Sequence, residues 1–124
     1  MSAKNISGVL GERSAAEYLE KNGYRIVCRN YKNRISEIDI IAKDADTLCF
    51  IEVKTRKNKN FGTGAEFVNK AKIDKLILGA RSYISTHNVC CDIRFDVVEV
   101  YGEVMPGGFC VSEINIIKNA FVAE

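Results

Sequence analysis

Residues 36–56, SEIDIIAKDADTLCFIEVKTR, constrain the fold more than any other stretch. Two apolar runs, 38–42 and 48–53, flank the connection Lys43-Asp44-Ala45-Asp46-Thr47. Short β-rich runs joined this way predict a β-hairpin. With its tip near residues 44–46, facing residues have numbers summing to about 90, so Asp39 lies across from Ile51 and Glu52. Side chains alternate along a strand, so Glu52 and Lys54 share one face and Val53 takes the other. Asp39, Glu52 and Lys54 are therefore expected to converge on one spot of a sheet otherwise written in Ile, Val, Leu and Phe.

An ionised carboxylate in an apolar strand is costly unless it is paired, hydrogen-bonded or metal-bound. Two readings follow. One is an ion pair at a sheet edge, Lys54 with Glu52 or Asp39. The other is a pair of acids holding a hard divalent cation, with a phosphate beside it and the lysine in attendance. A lone E-x-K triplet decides nothing, because it recurs in many strands; the aspartate on the preceding strand makes the second reading worth pursuing.

Asp39 followed by Glu52-Val53-Lys54 resembles the PD-(D/E)xK signature of restriction-endonuclease-like nucleases. The wider string is closer still to one branch, the YraN-like family of proposed endonucleases, related to archaeal Holliday-junction resolvases. The matching residues are Gly11-Glu12, Ala15-Ala16, Tyr18-Leu19, Gly23-Tyr24, Arg29-Asn30-Tyr31, Glu37-Ile38-Asp39, Phe50 through Arg56, Lys72, and Arg94 through Val98. They span residues 8–100 in order. Ser36 stands where that family commonly has Gly, and Ile73 where it often has Gln.

The resemblance implies an α/β, restriction-endonuclease-like core and metal-dependent hydrolysis of phosphodiester bonds in DNA, with branched or single-stranded DNA among the substrates. Asp39, Glu52 and Lys54 are the expected catalytic residues. Asp39 and Glu52 would hold Mg2+, for which Mn2+ can substitute, with the Val53 carbonyl nearby and Glu12 completing the shell directly or through water. Lys54 would orient the attacking water or stabilise charge on the phosphate. Lys72 would face that phosphate. A non-catalytic nucleic-acid-binding module on the same fold is the alternative, and a protein-interaction domain with an incidental ion pair is a third.

Composition narrows the field further. A chain of 124 residues, 47% hydrophobic and 27% charged with one proline, is an ordinary globule and a single domain over 1–124. The net charge of +2 does not by itself announce a nucleic-acid binder. Its distribution is more telling: Arg25, Arg29, Lys32 and Arg34 precede the hairpin, and Lys54, Arg56, Lys57 and Lys59 leave it. Arg56, Lys57, Lys59 and Lys72 are candidate phosphate contacts, or else solvated surface cations. The five cysteines form no C-x-x-C pair, which speaks against zinc, and Cys28 and Cys49 read as small buried hydrophobes in a reducing compartment. His87 is the sole histidine, too few for a His-based metal site. The chain starts without a signal-peptide pattern and has no apolar run near ~20 residues, so a cytoplasmic protein without a membrane span is expected. Monomer and homodimer are both open.

Along the chain, residues 8–22 predict an amphipathic helix with Val9, Glu12, Ala15, Ala16 and Leu19 on one stripe and Gly23 as its stop. Glu12 is the odd member. It is either a solvated first-turn acid or an acid placed over the sheet beside Asp39 and Glu52. Residues 24–31 alternate as a strand, and Glu37 shares a face with Asp39. Residues 57–64 form a basic loop with one aromatic, Phe61, suited to a nucleic-acid backbone or simply packed down. Residues 65–86 predict a long helix, slightly weakened at Gly79. A strand follows over 92–101, in which Asp96 pairs with Arg94 or caps a sheet end. After the turn at Met105-Pro106-Gly107-Gly108 comes a short strand over 109–114, and residues 116–122 are either a helix or a strand extension. The element order is αβββαβ plus the short C-terminal strand, most economically a mixed β-sheet flanked by helices.

Overall fold

The computed structural model describes residues 5–58 and 70–122. Within them, α1 (Ile6–Lys21) leads into β1 (Tyr24–Lys32), β2 (Glu37–Asp44) and β3 (Thr47–Arg56). Helix α2 (Lys70–Thr86) precedes β4 (Ile93–Met105) and β5 (Gly108–Phe121). The strands form one sheet in the order β1-β2-β3-β4-β5, antiparallel throughout except for the parallel β3–β4 pair. That one parallel pair needs a crossover, and α2 lies within it. The α/β class and the mixed, helix-flanked sheet agree with the sequence reading.

Two cores hold the layers together. Ala15, Ala16 and Leu19 of α1 pack on Ile40, Ala42, Cys49, Ile51, Val98 and Val100. Leu76, Ala80 and Tyr83 of α2 pack on Ile41, Leu48, Phe50 and Phe95. Consecutive strand residues feed different cores, so the helices cover opposite faces of the sheet. At roughly 25 cal/mol per Å² of apolar surface buried, each layer supplies a substantial share of the folding drive.

Helix α1 starts earlier than the spacing predicts, because Asn5 caps it: its side-chain oxygen accepts the Gly8 N–H at 2.7 Å. Val9, assigned to the core stripe, is instead 46% exposed, and Gly11 takes a place on the buried face. A Cβ at Gly11 would collide with the Thr55 side chain, so glycine lets α1 lie directly on the end of β3. Gly79 does the same for α2 against Ser36. The apparent weak point in that helix is where it lies against the β1–β2 connection.

The C-terminal strand is a correction. It is not short: β5 runs for 14 residues and pairs with β4 along nearly its whole length. Its β-branched Val111, Ile114, Ile116 and Ile117 suit a pleated surface better than a helix. Ile114 and Ile116 pack against the α1-side core. A register shift accommodates Asn119 at positive φ (55°) before Phe121 stacks on Phe95 at 5.1 Å. Pro106 and Gly107 (φ 99°) make the preceding two-residue turn. The start of the predicted 65–86 helix, residues 65–69, lies outside the described residues, as do Lys59 and Phe61. No helix is long and apolar enough to cross a membrane among the described residues.

Candidate active site

The predicted hairpin forms with a two-residue turn, Ala45-Asp46, and Asp44 facing Thr47. Ala45 adopts a positive φ of 54° there. The register continues to Ile40 facing Ile51 and stops. Just beyond, strict alternation fails: Ile38 packs in the α2-side core although Ile40, two residues on, packs in the α1-side core. Strand β2 is therefore turned about its own axis at Asp39. There the Val53 N–H donates to Asp39 Oδ2 at 2.9 Å, so a carboxylate takes up an amide that a backbone carbonyl would take in a continued ladder. This local parting of β2 from β3 is what opens a site.

A cleft of about 560 Å³ occupies that place. Glu12, Asp39, Glu52, Lys54 and Lys72 all line it, together with Ser36 and Glu37. Glu12, Asp39 and Glu52 are 3%, 8% and 4% exposed, an unusual degree of burial for carboxylates. Ile51 and Val53 belong to the α1 side and Phe50 to the α2 side, which puts Glu52 and Lys54 on the face toward α2.

The electrostatics of the cleft centre on Glu52. Burial first, and then the Asp39 carboxyl within hydrogen-bonding reach, push its carboxyl up to about 8 against the opposing pull of Lys72. Lys72 Nζ stands 2.5 Å from Glu52 Oε2, and Lys54 Nζ is 3.9 Å from the same oxygen. Burial holds Lys54 down to about 8, with the neighbouring Lys72 ammonium acting in the same direction. For Lys72 burial lowers the pKa, but the contact with Glu52 outweighs it and leaves the ammonium above its ordinary value. Opposed acids and confined cations of this kind are typical of sites that bind or react.

Asp39, Glu52 and Lys54 thus come together as the hairpin argument requires, and Lys72 joins them. Glu12 reaches the cleft but is held by Arg29, whose guanidinium lies 3.6 Å from its Oε1. Among the described residues no three acids, histidines or cysteines are arranged to hold a metal ion, so Glu12 does not form a three-carboxylate cluster with Asp39 and Glu52. The remaining pair still suits a hard divalent ion, since Mg2+ is commonly bound through one or two carboxylates and otherwise keeps its waters. Of the basic candidates, Lys57 pairs with Glu103 at 3.3 Å on the surface, and Arg56 continues β3 beyond the cleft.

A model of the family described as "Uncharacterised protein family UPF0102" matches residues 11–100. The chain belongs to that family. It is 46% identical over 122 residues to UPF0102 protein HRM2_30940 of Desulforapulum autotrophicum, covering 98% of this chain and 97% of the relative. A UPF0102 protein of Caldicellulosiruptor saccharolyticus is 43% identical over 119 residues, 95% of this chain and 98% of that one. One from Chlorobium limicola is 50% identical over 99 residues, 79% and 77% of the two chains. The match encloses every residue of the cleft centre.

Two features escaped the sequence reading. Arg29, seen as one of several basic residues and as part of the matching Arg29-Asn30-Tyr31 but given no role, pairs with Glu12. Glu99 is 7% exposed, faces Lys54 across the β3–β4 pair, and accepts the Tyr101 hydroxyl at 3.0 Å. A carboxylate inside the apolar run 95–101 was the available signal for Glu99. Arg29 had only its place among the matching residues, because its pairing depends on how α1 sits over β1.

Proposed function

We propose that this UPF0102 protein is a metal-dependent phosphodiester hydrolase acting on DNA, built on a restriction-endonuclease-like core and working in the cytoplasm. The observation that carries the reading is the drawing together of Asp39 and Glu52 where β2 parts from β3, with Lys54 on the same face. Mg2+, or Mn2+ in its place, would be held by these two carboxylates and would supply Lewis-acid stabilisation of charge on the phosphate. Asp39 lines the cleft with its Oδ2 accepting the Val53 amide, which orients the carboxylate there. The Lys54 ammonium, on the same face as Glu52, donates to a non-bridging phosphate oxygen as charge accumulates there. Lys72 lines the cleft and Arg56 continues β3 beyond it; with Lys57 and Lys59, these are the cations assigned to phosphate contacts. No covalent nucleophile is required. Branched or single-stranded DNA is the substrate class that the resemblance to resolvase-related nucleases favours.

A second reading, a nucleic-acid-binding module without hydrolysis, draws on the occupancy of Glu52 by Lys72. Cleavage assays with Mn2+ on forked, flapped, four-way and single-stranded DNA separate the two. Hydrolysis by wild type that falls about 100-fold or more in Glu52→Gln establishes the enzyme, because losing a group that stabilises transition-state charge costs this much. Salt-sensitive binding with no cleavage on any substrate establishes the module.

A further inference from the structure

Lys72 does more in this cleft than wait for a phosphate. Among the described residues its ammonium is the nearest cation to Glu52 Oε2, at 2.5 Å, and Lys54 reaches the same atom from 3.9 Å. A divalent ion drawing on that oxygen would stand within contact distance of two ammonium groups. Cations so close repel strongly in a partly dry cleft, so one must leave. Lys54 is fixed on β3 with a side chain 21% exposed, whereas Lys72 projects from the first turn of α2 and is 43% exposed. Lys72 can swing to the cleft mouth by rotating its own stem, at the cost of one ion pair and with its charge returned to water.

We propose that Lys72 is a resident counter-ion of the metal-free site: it holds Glu52 in the absence of metal, competes with the divalent ion, and is released by it. The proposal rests on the metal-dependent reading above and concerns how that site is loaded. The exchange has a clear use. Two buried carboxylates without a cation would repel each other, and the lysine keeps the cleft folded until an ion arrives. Once displaced, the ammonium stands at the mouth of the cleft, where an approaching phosphate needs a cation. Metal and nucleic acid should therefore each favour the binding of the other, because by linkage the coupling is reciprocal. Lys72 is a positioning residue in this account, since it acts through Glu52.

Calorimetric titration of Mn2+ into DNA-free protein tests this without reference to cleavage. Lys72→Met keeps the apolar stem and removes the charge, so it should bind Mn2+ about 10-fold or more tightly than wild type, a difference of about 1.4 kcal/mol. Lys72→Arg, which keeps a competing cation, should bind close to wild type and guards against a general effect of mutating the helix. Melting curves should show the metal-free Lys72→Met protein less stable than wild type, with a larger rise on adding Mn2+. If Lys72→Met binds Mn2+ no more tightly than wild type while Glu52→Gln loses binding, the counter-ion role is wrong and the metal site stands. If none of the four proteins binds Mn2+, the metal-dependent reading fails and the exchange fails with it.

Discussion

Two clusters of acids and cations sit at opposite ends of the same sheet, made of the same residue types and finished differently. At the hairpin-tip end, Arg94 donates to both oxygens of Asp96 at 2.8 Å, to the Tyr24 hydroxyl at 2.9 Å and to Asp44 at 2.8 Å. Tyr24 donates to Asp96, the Asn119 amide donates to the same carboxylate, and Lys118 closes on Asp44 at 3.1 Å. This clamp joins β1, β2, β4 and β5, and each charge has a partner in good geometry. At the other end two ammonium groups converge on one oxygen of Glu52, and its carboxyl is also crowded by that of Asp39. The satisfied cluster has no chemistry to offer; the frustrated one, open to a cleft, does. Burial of charge alone would not have told them apart, since Asp96 is more buried than either Asp39 or Glu52.

The largest expected effect breaks the satisfied end. Asp96→Ala takes the fully buried acid from the largely buried Arg94, whose side chain is 19% exposed and keeps only Asp44 as an ionic partner among the described residues. Removing one member of a buried ion pair costs about 3–5 kcal/mol. Against a typical total of about 5–15 kcal/mol, that leaves a weakly folded protein. Asp39→Asn should behave oppositely in the metal-free state. It removes the carboxylate that crowds the Glu52 carboxyl and keeps an oxygen to accept the Val53 N–H, so stability should match wild type or exceed it slightly. Urea unfolding of both variants makes the comparison. Equal losses would mean that Asp39 is a structural acid like Asp96.

The two ends should also answer pH in opposite directions. Glu52 has a raised pKa when folded, so the folded state binds its proton more readily than the unfolded chain. The stability this contributes is complete below its unfolded value of 4.5 and is lost as pH rises toward about 8, by at most about 1.4 kcal/mol per pH unit. Lys54, depressed to about 8, contributes the reverse trend, with stability regained between about 8 and its ordinary 10.5. At the clamp, hydrogen bonds from Arg94 and then Lys118 hold the Asp44 carboxyl below its ordinary value. Its stabilisation is present above 3.8 and fades as acid protonates it. Melting temperatures of metal-free protein from pH 4 to pH 9 should therefore show a descent between pH 5 and pH 8 that Glu52→Gln flattens and Asp44→Asn leaves in place. A descent unchanged in Glu52→Gln would remove the cleft as its source.

Much of this was legible because it is local. The hairpin follows from residues within a 20-residue window, where alternation and a polar connection fix the register and so bring Asp39 toward Glu52. The pairing of Asp96 with Arg94 is also a two-residue matter. What stayed hidden depends on docking. Alternation predicts a regular strand through Asp39, yet the strand turns there, because an amide of β3 is taken by a side chain instead of a carbonyl. The placement of Lys72 over Glu52 is set by the packing of α2, and Gly79 against Ser36 is part of that. Lys118 joins Asp44 across 74 positions, and the true length of β5 emerges only from its pairing with β4. Sequence spacing shows which charges can meet, and tertiary packing decides which of them are satisfied.

The smallest effect concerns the cations beyond the cleft. Each phosphate contact made by a lysine or arginine releases counter-ions, so losing one contact should lower the slope of log affinity against log salt by roughly one unit. Arg56 leaves β3 directly from the cleft and should show that change as Arg56→Gln. Lys57 is a weaker candidate, because it is already paired with Glu103 at 3.3 Å on an exposed surface. An exposed pair of this kind is worth at most about 1 kcal/mol, so DNA can break it, but the released glutamate offsets part of the gain. Lys57→Gln should therefore change the slope by less than Arg56→Gln, and Lys118→Gln, at the clamp end, should leave it unaltered. Fluorescence anisotropy with a labelled single strand in Ca2+, across a series of salt concentrations, reads all three. A slope lowered equally by Lys118→Gln would spread the interface over both ends of the sheet and dissolve the contrast between them.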